Sequence, residues 1–364
     1  MIRLSMLQFR IQAITAAVTL AAFAVLLAAT GPHLASTYAA DGLDSCHGSS
    51  CLSPATYFTG SLSRSPYGVL FLLSTGIILL APAVIGLFWG APLIARELET
   101  GTAALAWNQS VTRTRWLAVK LAVGGLTAMA LTEALCLMQT WWAVPISAAV
   151  ADGSGAGVAQ SRFSQLNFAT HGITPLGYAA FAFALGVTAG ALIRRTVPAM
   201  AVTLAIFAAL QVAMPLWVRP NLAPPDHTVN PVTSLGNALP SQTGPGGDTF
   251  TLYANSIPGQ PGAWLLSSGP VNAAGQATST TPAACASVGS TGPGTGANQG
   301  ASPQGSTTGP VAFVGCLASH GIREAITYQP ASRYRRFQLT ETAIYLALAL
   351  VLAGYCFRRL SRLS

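Results

Sequence analysis

The sequence predicts an all-α polytopic membrane protein with six transmembrane helices and a large extracytoplasmic loop between helices 5 and 6. Of its 364 residues, 51% are hydrophobic and only 8% are charged, which is too few charges to cover a soluble globule of this size. Six apolar segments are long enough to cross a hydrocarbon core of roughly 30 Å. The basic residues lie in small groups beside these segments, as topology signals do. The net charge of +8 therefore does not indicate a nucleic-acid partner.

The six segments follow one another along the chain. They cover residues 11–30, 67–94, 116–144, 175–193, 198–217 and 339–357. Residues 1–10 are too short to span and form at most an interfacial lead-in. The first segment also resembles a secretion signal, because Arg3 and Arg10 precede it and small residues follow, but its apolar run is longer than a usual signal core. We predict that it is retained as a span.

The placement of basic residues predicts the orientation. They occur at both termini and in alternate connections: Arg3, Arg10, Arg96, Arg113, Arg115, Lys120, Arg194, Arg195, Arg358, Arg359 and Arg362. Because cytoplasmic connections carry the excess of basic residues, both termini are expected in the cytoplasm. Arg333, Arg335 and Arg336 lie in a connection that is predicted to be outside the cell. They reduce the excess of basic residues on the cytoplasmic side without reversing it, since long translocated loops contribute little.

Four cysteines lie in the predicted outer loops. Cys46 and Cys51 are in the first loop, and Cys285 and Cys316 are in the last. Pairing within each loop would suit an oxidising exterior. The alternative is four free thiols, since connectivity does not follow from one sequence.

The predicted outer loop 218–338 is the largest polar part of the chain. Residues 267–310 are almost entirely Gly, Ser, Thr, Pro, Ala and Gln, so we expect disorder there because little apolar surface can be buried. The flanks contain large apolar residues, such as Phe250 and Trp264 before this stretch and residues 311–328 after it. They could pack a small cap stabilised by a disulfide.

The second segment carries several residues that disturb helices: Gly76, Pro82, Gly86, Gly90 and Pro92. Irregular backbone at membrane depth is tolerated against protein or a water-filled cavity. The segment is therefore a candidate for lining a pathway. The alternative is a tightly packed helix that uses small residues for close approach.

The sequence contains no nucleotide-binding or hydrolase motif of the P-loop, H-E-x-x-H or G-x-S-x-G type, and no cluster of metal ligands. We expect no enzymatic activity of its own, no cofactor and no metal. Glu133 lies mid-span and is a functional candidate, because an unpaired charge is costly at that depth. Alternatively, it is neutral or paired and holds helices together. Glu341 is expected in the first turn of the last helix, against its positive end.

The connection between the second and third segments is the most informative stretch. It reads WGAPLIARELETGTAALAWNQSVTRTRWLAVK over residues 89–120. Gly101 is expected to end one helix, residues 102–107 to form a short amphipathic helix, and Thr112 to cap the next span. A short helix held between two spans could transmit a push from a cytoplasmic partner. An ordinary charged connection is the alternative.

This loop, at residues 95–115, resembles the cytoplasmic loop of type 2 ABC exporter permeases, most closely those of actinobacterial drug and antibiotic resistance exporters. The six-span layout and the motifs GYAAFAFALGVTAG and RRTVPAMAVT are also similar to that group. The resemblance implies a role in transmitting ATPase motion for the matching loop residues: Arg96, Glu97, Glu99, Gly101, Thr102, Gln109, Ser110, Thr112 and Arg113.

The resemblance implies a permease subunit of an ATP-driven exporter for an amphipathic drug, antibiotic or lipid-like compound. Such a permease has no nucleotide site; it pairs with a second permease copy and with separate ABC ATPase subunits in the lipid bilayer. Two other functions stay open: a membrane scaffold or sensor with a ligand-binding outer cap, and an ion-coupled transporter that uses Glu133.

Overall fold

The computed structural model describes residues 10–46, 48–100, 113–152, 161–232, 239–243, 249–253, 262–286 and 310–361, and also 257, 260 and 288. The chain divides into two compact units. The membrane unit comprises Met1–Leu222 and Tyr334–Ser364, and the insert unit comprises Ala223–Arg333.

The elements of the membrane unit up to the insert are helical. They are α1 (Arg10–Ala40), α2 (Leu52–Leu62), α3 (Pro66–Ile85), α4 (Ala91–Glu99), α5 (Arg113–Trp142), α6 (Val144–Asp152), α7 (Gln165–Thr170), α8 (Thr174–Ile193) and α9 (Thr196–Ala213). A π-helical turn, Gly86–Gly90, joins α3 to α4, and a second one, Met214–Val218, extends α9.

In its described residues, the insert unit contains five strands and two short helices, and a long helix follows it. The strands are β1 (Asp226–Pro231), β2 (Leu239–Thr243), β3 (Thr249–Tyr253), β4 (Trp264–Val271) and β5 (Arg323–Gln329). The helices are α10 (Ala283–Ala286), α11 (Pro310–Ser319) and, back in the membrane unit, α12 (Tyr334–Ser361).

Six helices in the described residues are long and apolar enough to cross a membrane: α1, α3–α4, α5, α8, extended α9 and α12. The predicted all-α polytopic class is confirmed. Helix α8 lies at the centre of the bundle, with 78% of its most apolar window buried, against 11–44% in the other five. The central helix can be so deeply packed because most of its residues are small.

Two helix boundaries correct the predicted spans. Helix α1 continues beyond residue 30 to Ala40, with Pro32 inside it, because residues after the proline still pack, as the fully buried Leu34 shows. Helix α12 begins at Tyr334, five residues before the predicted span, and places Arg335 and Arg336 in its first turn. Hydropathy misses such ends because polar residues can extend a helix past the apolar run.

The second predicted span is one continuous helical path, and two of its glycines, Gly86 and Gly90, pack against α8. A Cβ on Gly86 would lie 2.7 Å from the Ala182 carbonyl oxygen, and one on Gly90 would lie 2.7 Å from that of Phe183. Conversely, a Cβ on Gly186 would lie 2.3 Å from the Gly86 oxygen. The pathway-lining hypothesis is therefore wrong at these two glycines, which permit close backbone approach instead.

The insert unit is built around an antiparallel sheet of order β1-β5-β4, beside a β2–β3 hairpin. Its core contains Phe250, Phe313, Leu317 and Ile326. The structure bonds Cys285 on α10 to Cys316 on α11, with the Cα atoms 5.8 Å apart. In the membrane unit it bonds Cys46 to Cys51, with Cα atoms 5.2 Å apart.

The disorder expected over residues 267–310 is wrong for 267–286. Residues 267–271 continue β4 and pair with β5, Val271 bridges to Ala277, and α10 follows. Backbone hydrogen bonds to a packed neighbouring strand order this stretch without large side chains. Residues 289–309 lie outside the described part of the chain.

Candidate functional site: the coupling region and the buried polar groups

The basic end of the bundle is where α4 ends, α5 begins, α8 meets α9, and α12 ends. Here Glu97 on α4 forms an ion pair with Lys120 on α5. The Lys120 side chain is only 3% exposed, and its ammonium lies 4.3 Å from the Trp116 ring centroid. Because an ammonium buried to this extent requires a counter-charge, the pair fixes α4 against α5.

A second carboxylate joins α4 to the turn between α8 and α9. The Glu99 carboxylate accepts hydrogen bonds from the Thr196 backbone N–H at 3.2 Å and from its hydroxyl at 2.8 Å. Glu99 thereby caps the positive N-terminus of α9 from another helix. Arg194, the residue that ends α8, adopts a left-handed conformation with φ of 57° and makes this turn tight.

Helix α4 is also in backbone contact with α8. A Cβ on Gly190 would lie 2.4 Å from the Ala91 carbonyl oxygen and 3.3 Å from the Ala95 Cβ. Ile94 and Ala95 are fully buried. Helix α4 is therefore attached to three neighbours, α5, α8 and α9, directly before residue 101.

The structure describes four of the nine coupling residues predicted from sequence. Gly101, Thr102, Gln109, Ser110 and Thr112 lie outside the described residues, together with the proposed helix 102–107, and Arg113 is the first residue of α5. Arg96 is exposed. Glu97 and Glu99, for which the resemblance implies a role in transmitting ATPase motion, both have partners within the bundle.

At the opposite end of the bundle, the structure brings together three polar side chains that the sequence had not connected. Arg219, after α9, donates to Glu341 on α12 from Nε at 2.9 Å and from an Nη at 3.1 Å. The hydroxyl of Tyr178 on α8 also donates to Glu341. Arg219 is 2% exposed and Glu341 is 0% exposed. The Arg219 guanidinium additionally lies 3.9 Å from the Phe168 ring centroid.

These contacts correct one prediction. Glu341 is two turns inside α12 and is the acceptor of a buried ion pair, so the expected role at a helix terminus is wrong. Tyr178 and Trp142 are both 2% exposed, and the Trp142 indole donates to the Thr30 hydroxyl at 3.0 Å. The available signal was a lone arginine directly after the predicted fifth span and a lone glutamate at the start of the sixth, on the same predicted side of the membrane, where charges at a span are costly unless paired.

A search of known protein families matches residues 17–219 to the family described as ABC-2 membrane transporter related. The match covers more than half of the chain and includes both α4 and the α8–α9 turn. The chain belongs to this family. It is thus a membrane-spanning permease subunit of an ABC transporter, a kind of subunit that works with an ABC ATPase subunit. No curated protein and no solved structure matches it.

The intramembrane candidate Glu133 lies on α5 of the permease and is partly buried. Its Oε2 atom is buried and accepts no hydrogen bond within the described chain. Cys136, one turn further along, contacts the carbonyl oxygens of Thr170 and Gly172 at 3.2 and 3.3 Å. Glu133 thus faces the interior near α7, without a described counter-charge.

Two of the cavities among the described residues of the membrane unit bear on ligand binding. The first, which we call the Arg162 cavity, has a volume of about 300 Å³. It is lined by Phe71, Thr140, Ala143, Ile146, Ser147, Val150, Arg162, Asn167, His171, Gly172 and Tyr334. The second, the lateral groove, has a volume of about 310 Å³ and lies between α3, α7, α8 and α9, with Tyr178 and Arg219 at one end.

Proposed function

We propose that this permease is the membrane subunit of an exporter that moves an amphipathic compound outward. A separate ABC ATPase supplies the energy, and two permease copies form the pathway. Both termini and the 95–115 loop face the cytoplasm of a bacterial cell, in line with the basic residues at that end of the bundle.

The observation that carries this proposal is the attachment of α4. A partner that displaces the loop following Glu99 acts on a helix joined to α5 through Glu97 and to α9 through Glu99. Displacement of α4 would therefore shift three membrane helices together, since α8 is in backbone contact with it. This is the mechanical requirement for coupling ATP hydrolysis to a change in the pathway.

The second copy is proposed from the family's architecture and not from a contact in the structure. The amphipathic character of the substrate rests on the two cavities, whose described walls are mainly apolar with a few polar groups. The following experiment distinguishes the exporter from the two alternatives, a membrane scaffold or sensor and an ion-coupled transporter.

The test begins with copurification of the tagged chain from its native host, which should bring down a P-loop ATPase. The complex is then reconstituted in liposomes, and ATP hydrolysis is measured with and without amphipathic substrates. Glu99→Ala removes both hydrogen bonds to Thr196, so substrate-stimulated hydrolysis should fall several-fold while copurification is retained. Glu99→Gln keeps one acceptor oxygen and should give an intermediate value.

Asp44→Asn is the matched control, because Asp44 is an exposed carboxylate in the first outer loop, away from α4. It should leave stimulation unchanged. Absence of any ATPase from the purified material would reject the exporter. Uptake that needs an ion gradient and no ATP would favour the ion-coupled alternative, and full stimulation in Glu99→Ala would remove α4 from the coupling route.

A further inference from the structure

We propose that the Arg162 cavity is a binding site for a single-chain anionic amphiphile dissolved in the membrane. The acidic head group would sit at Arg162 and the chain along the apolar wall. This inference goes beyond the proposed export function, because it concerns binding by the permease alone and needs no ATPase.

The apolar wall comes from three helices of the described chain. Phe71 on α3, Ala143 next to the end of α5, and Ile146 on α6 are 2–3% exposed, and Val150 continues the same face of α6. The volume of about 300 Å³ is at the low end for small-molecule sites. One narrow chain suits this space better than a two-chain lipid.

The positive charge of Arg162 at the rim of the cavity favours a ligand with a negatively charged head group. Arg162 is exposed and lines the cavity, and no carboxylate that the structure describes lies within ion-pair distance of it. The described residues that line the cavity include neither Asp nor Glu. A guanidinium offers paired N–H donors that match a carboxylate or phosphate head, whereas a cationic head would have no partner here.

One further polar group can complete the head-group site. The Tyr334 hydroxyl accepts a hydrogen bond from the Gln338 amide at 2.7 Å and retains its own proton for an acceptor, since no described residue takes it. Edge contacts with Phe163, at 5.3 Å between ring centroids, hold the Tyr334 ring in place.

The lateral groove provides an internal comparison. It has nearly the same volume and also contains an arginine, Arg219, but that guanidinium is already bound by Glu341. Its charge is thus compensated. Of the two cavities, the Arg162 cavity is the one that presents an uncompensated positive charge within the described residues.

The experiment uses the full-length chain in nanodiscs of uncharged phosphatidylcholine. The probe is dodecanoate with a photoreactive diazirine at its terminal carbon, and the matched probes are the corresponding dodecanol and dodecyltrimethylammonium. Mass spectrometry should locate saturable cross-links from dodecanoate in peptides that contain Phe71 or Ile146. Excess unmodified dodecanoate should abolish them.

Arg162→Gln should raise the concentration for half-saturation about tenfold or more, as expected for loss of a charge-assisted hydrogen bond. Arg162→Lys should retain part of the affinity. Arg64→Gln is the matched control, because Arg64 is an exposed arginine before α3 that does not line the cavity, and it should have no effect.

A further variant tests the apolar wall of the Arg162 cavity. Ser147 is exposed and lines the cavity, so Ser147→Phe should block cross-linking of dodecanoate without disturbing a buried position. The proposal is overturned if dodecanol saturates at the same concentration as dodecanoate, if Arg162→Gln behaves like Arg64→Gln, or if labelling never saturates.

Discussion

The two ends of the helix bundle are held together by polar contacts that differ in exposure. At the basic end, the Glu99 carboxylate that binds the N-terminus of α9 is exposed to solvent, although Lys120, the partner of Glu97, is buried. At the opposite end, Arg219 and Glu341 are both buried with Tyr178. Exposed polar contacts contribute little to stability, whereas breaking a buried pair leaves an isolated charge without solvent. The contact between α4 and α9 is therefore suited to break and re-form, and the opposite end is suited to resist separation.

The packing of the helix backbones also differs between the basic end and the opposite end of the bundle. The glycines that allow α3–α4 to contact α8 lie in the halves of these helices nearest the basic end. There, the helices approach without intervening side chains, so small displacements need not break specific polar bonds. At the opposite end, α8 and α12 are joined by the side chains of Tyr178, Glu341 and Tyr345, whose positions are mutually restricted.

The largest effect is expected at the buried ion pair. Glu341→Gln should lower the free energy of unfolding by about 3–5 kcal/mol, because the Arg219 guanidinium would stay buried without a counter-charge. The measurement is denaturant unfolding in mixed micelles, followed by helical circular dichroism. Arg219→Met combined with Glu341→Leu should recover much of the loss, since both charges are then removed.

Glu133→Gln is the control, because Glu133 is also an intramembrane carboxylate but forms no ion pair in the described structure. Glu133→Gln should lower the free energy of unfolding by clearly less than Glu341→Gln does. Equal effects of Glu341→Gln and Glu133→Gln would contradict the distinction between the two ends.

A smaller effect is expected at the helix contact. In Gly186→Ala, the new methyl group would lie 2.3 Å from the Gly86 oxygen and 2.7 Å from the Ala91 nitrogen, so α8 must move away. We expect a loss of about 1–3 kcal/mol in the same unfolding assay. Gly76→Ala, on α3 with nothing within 4 Å of the added Cβ, should be neutral or stabilising by up to about 1 kcal/mol. Similar losses in both variants would exclude close approach as the reason for the glycines.

The smallest effect concerns pH and His171. Burial lowers its pKa from the ordinary value of 6.5, an effect that its hydrogen bond to Asn167 partly offsets. Between the lowered pKa and 6.5 the unfolded chain binds more protons than the folded one, so the free energy of unfolding should decrease as pH falls below 6.5. His171→Asn lacks this titration. The stability difference between wild type and variant should shrink from pH 8 to pH 5, and a difference that is constant over this range would refute buried neutral His171.

Much of the fold could be predicted from the sequence because it depends on the hydrophobicity of consecutive residues. Apolar runs of sufficient length give six spans, whatever their partners are, because lipid leaves the backbone no other way to satisfy its hydrogen bonds. The loop around Glu99 and Gly101 also carries a local pattern, which suffices to indicate the transporter class. Helix ends at Ala40 and Tyr334 were missed because packing, not hydropathy, extends them.

The functional geometry depends on residues far apart in the chain. Arg219 and Glu341 are 122 positions apart, and Glu99 and Thr196 are 97 apart, so no local pattern pairs them. By itself, the sequence determined which segments enter the membrane, because transfer into lipid is nearly a sum over adjacent residues. Only the tertiary structure decided which charges neutralise one another and which, like Arg162, stay available to a ligand, because electrostatic energy depends on distance and burial in three dimensions.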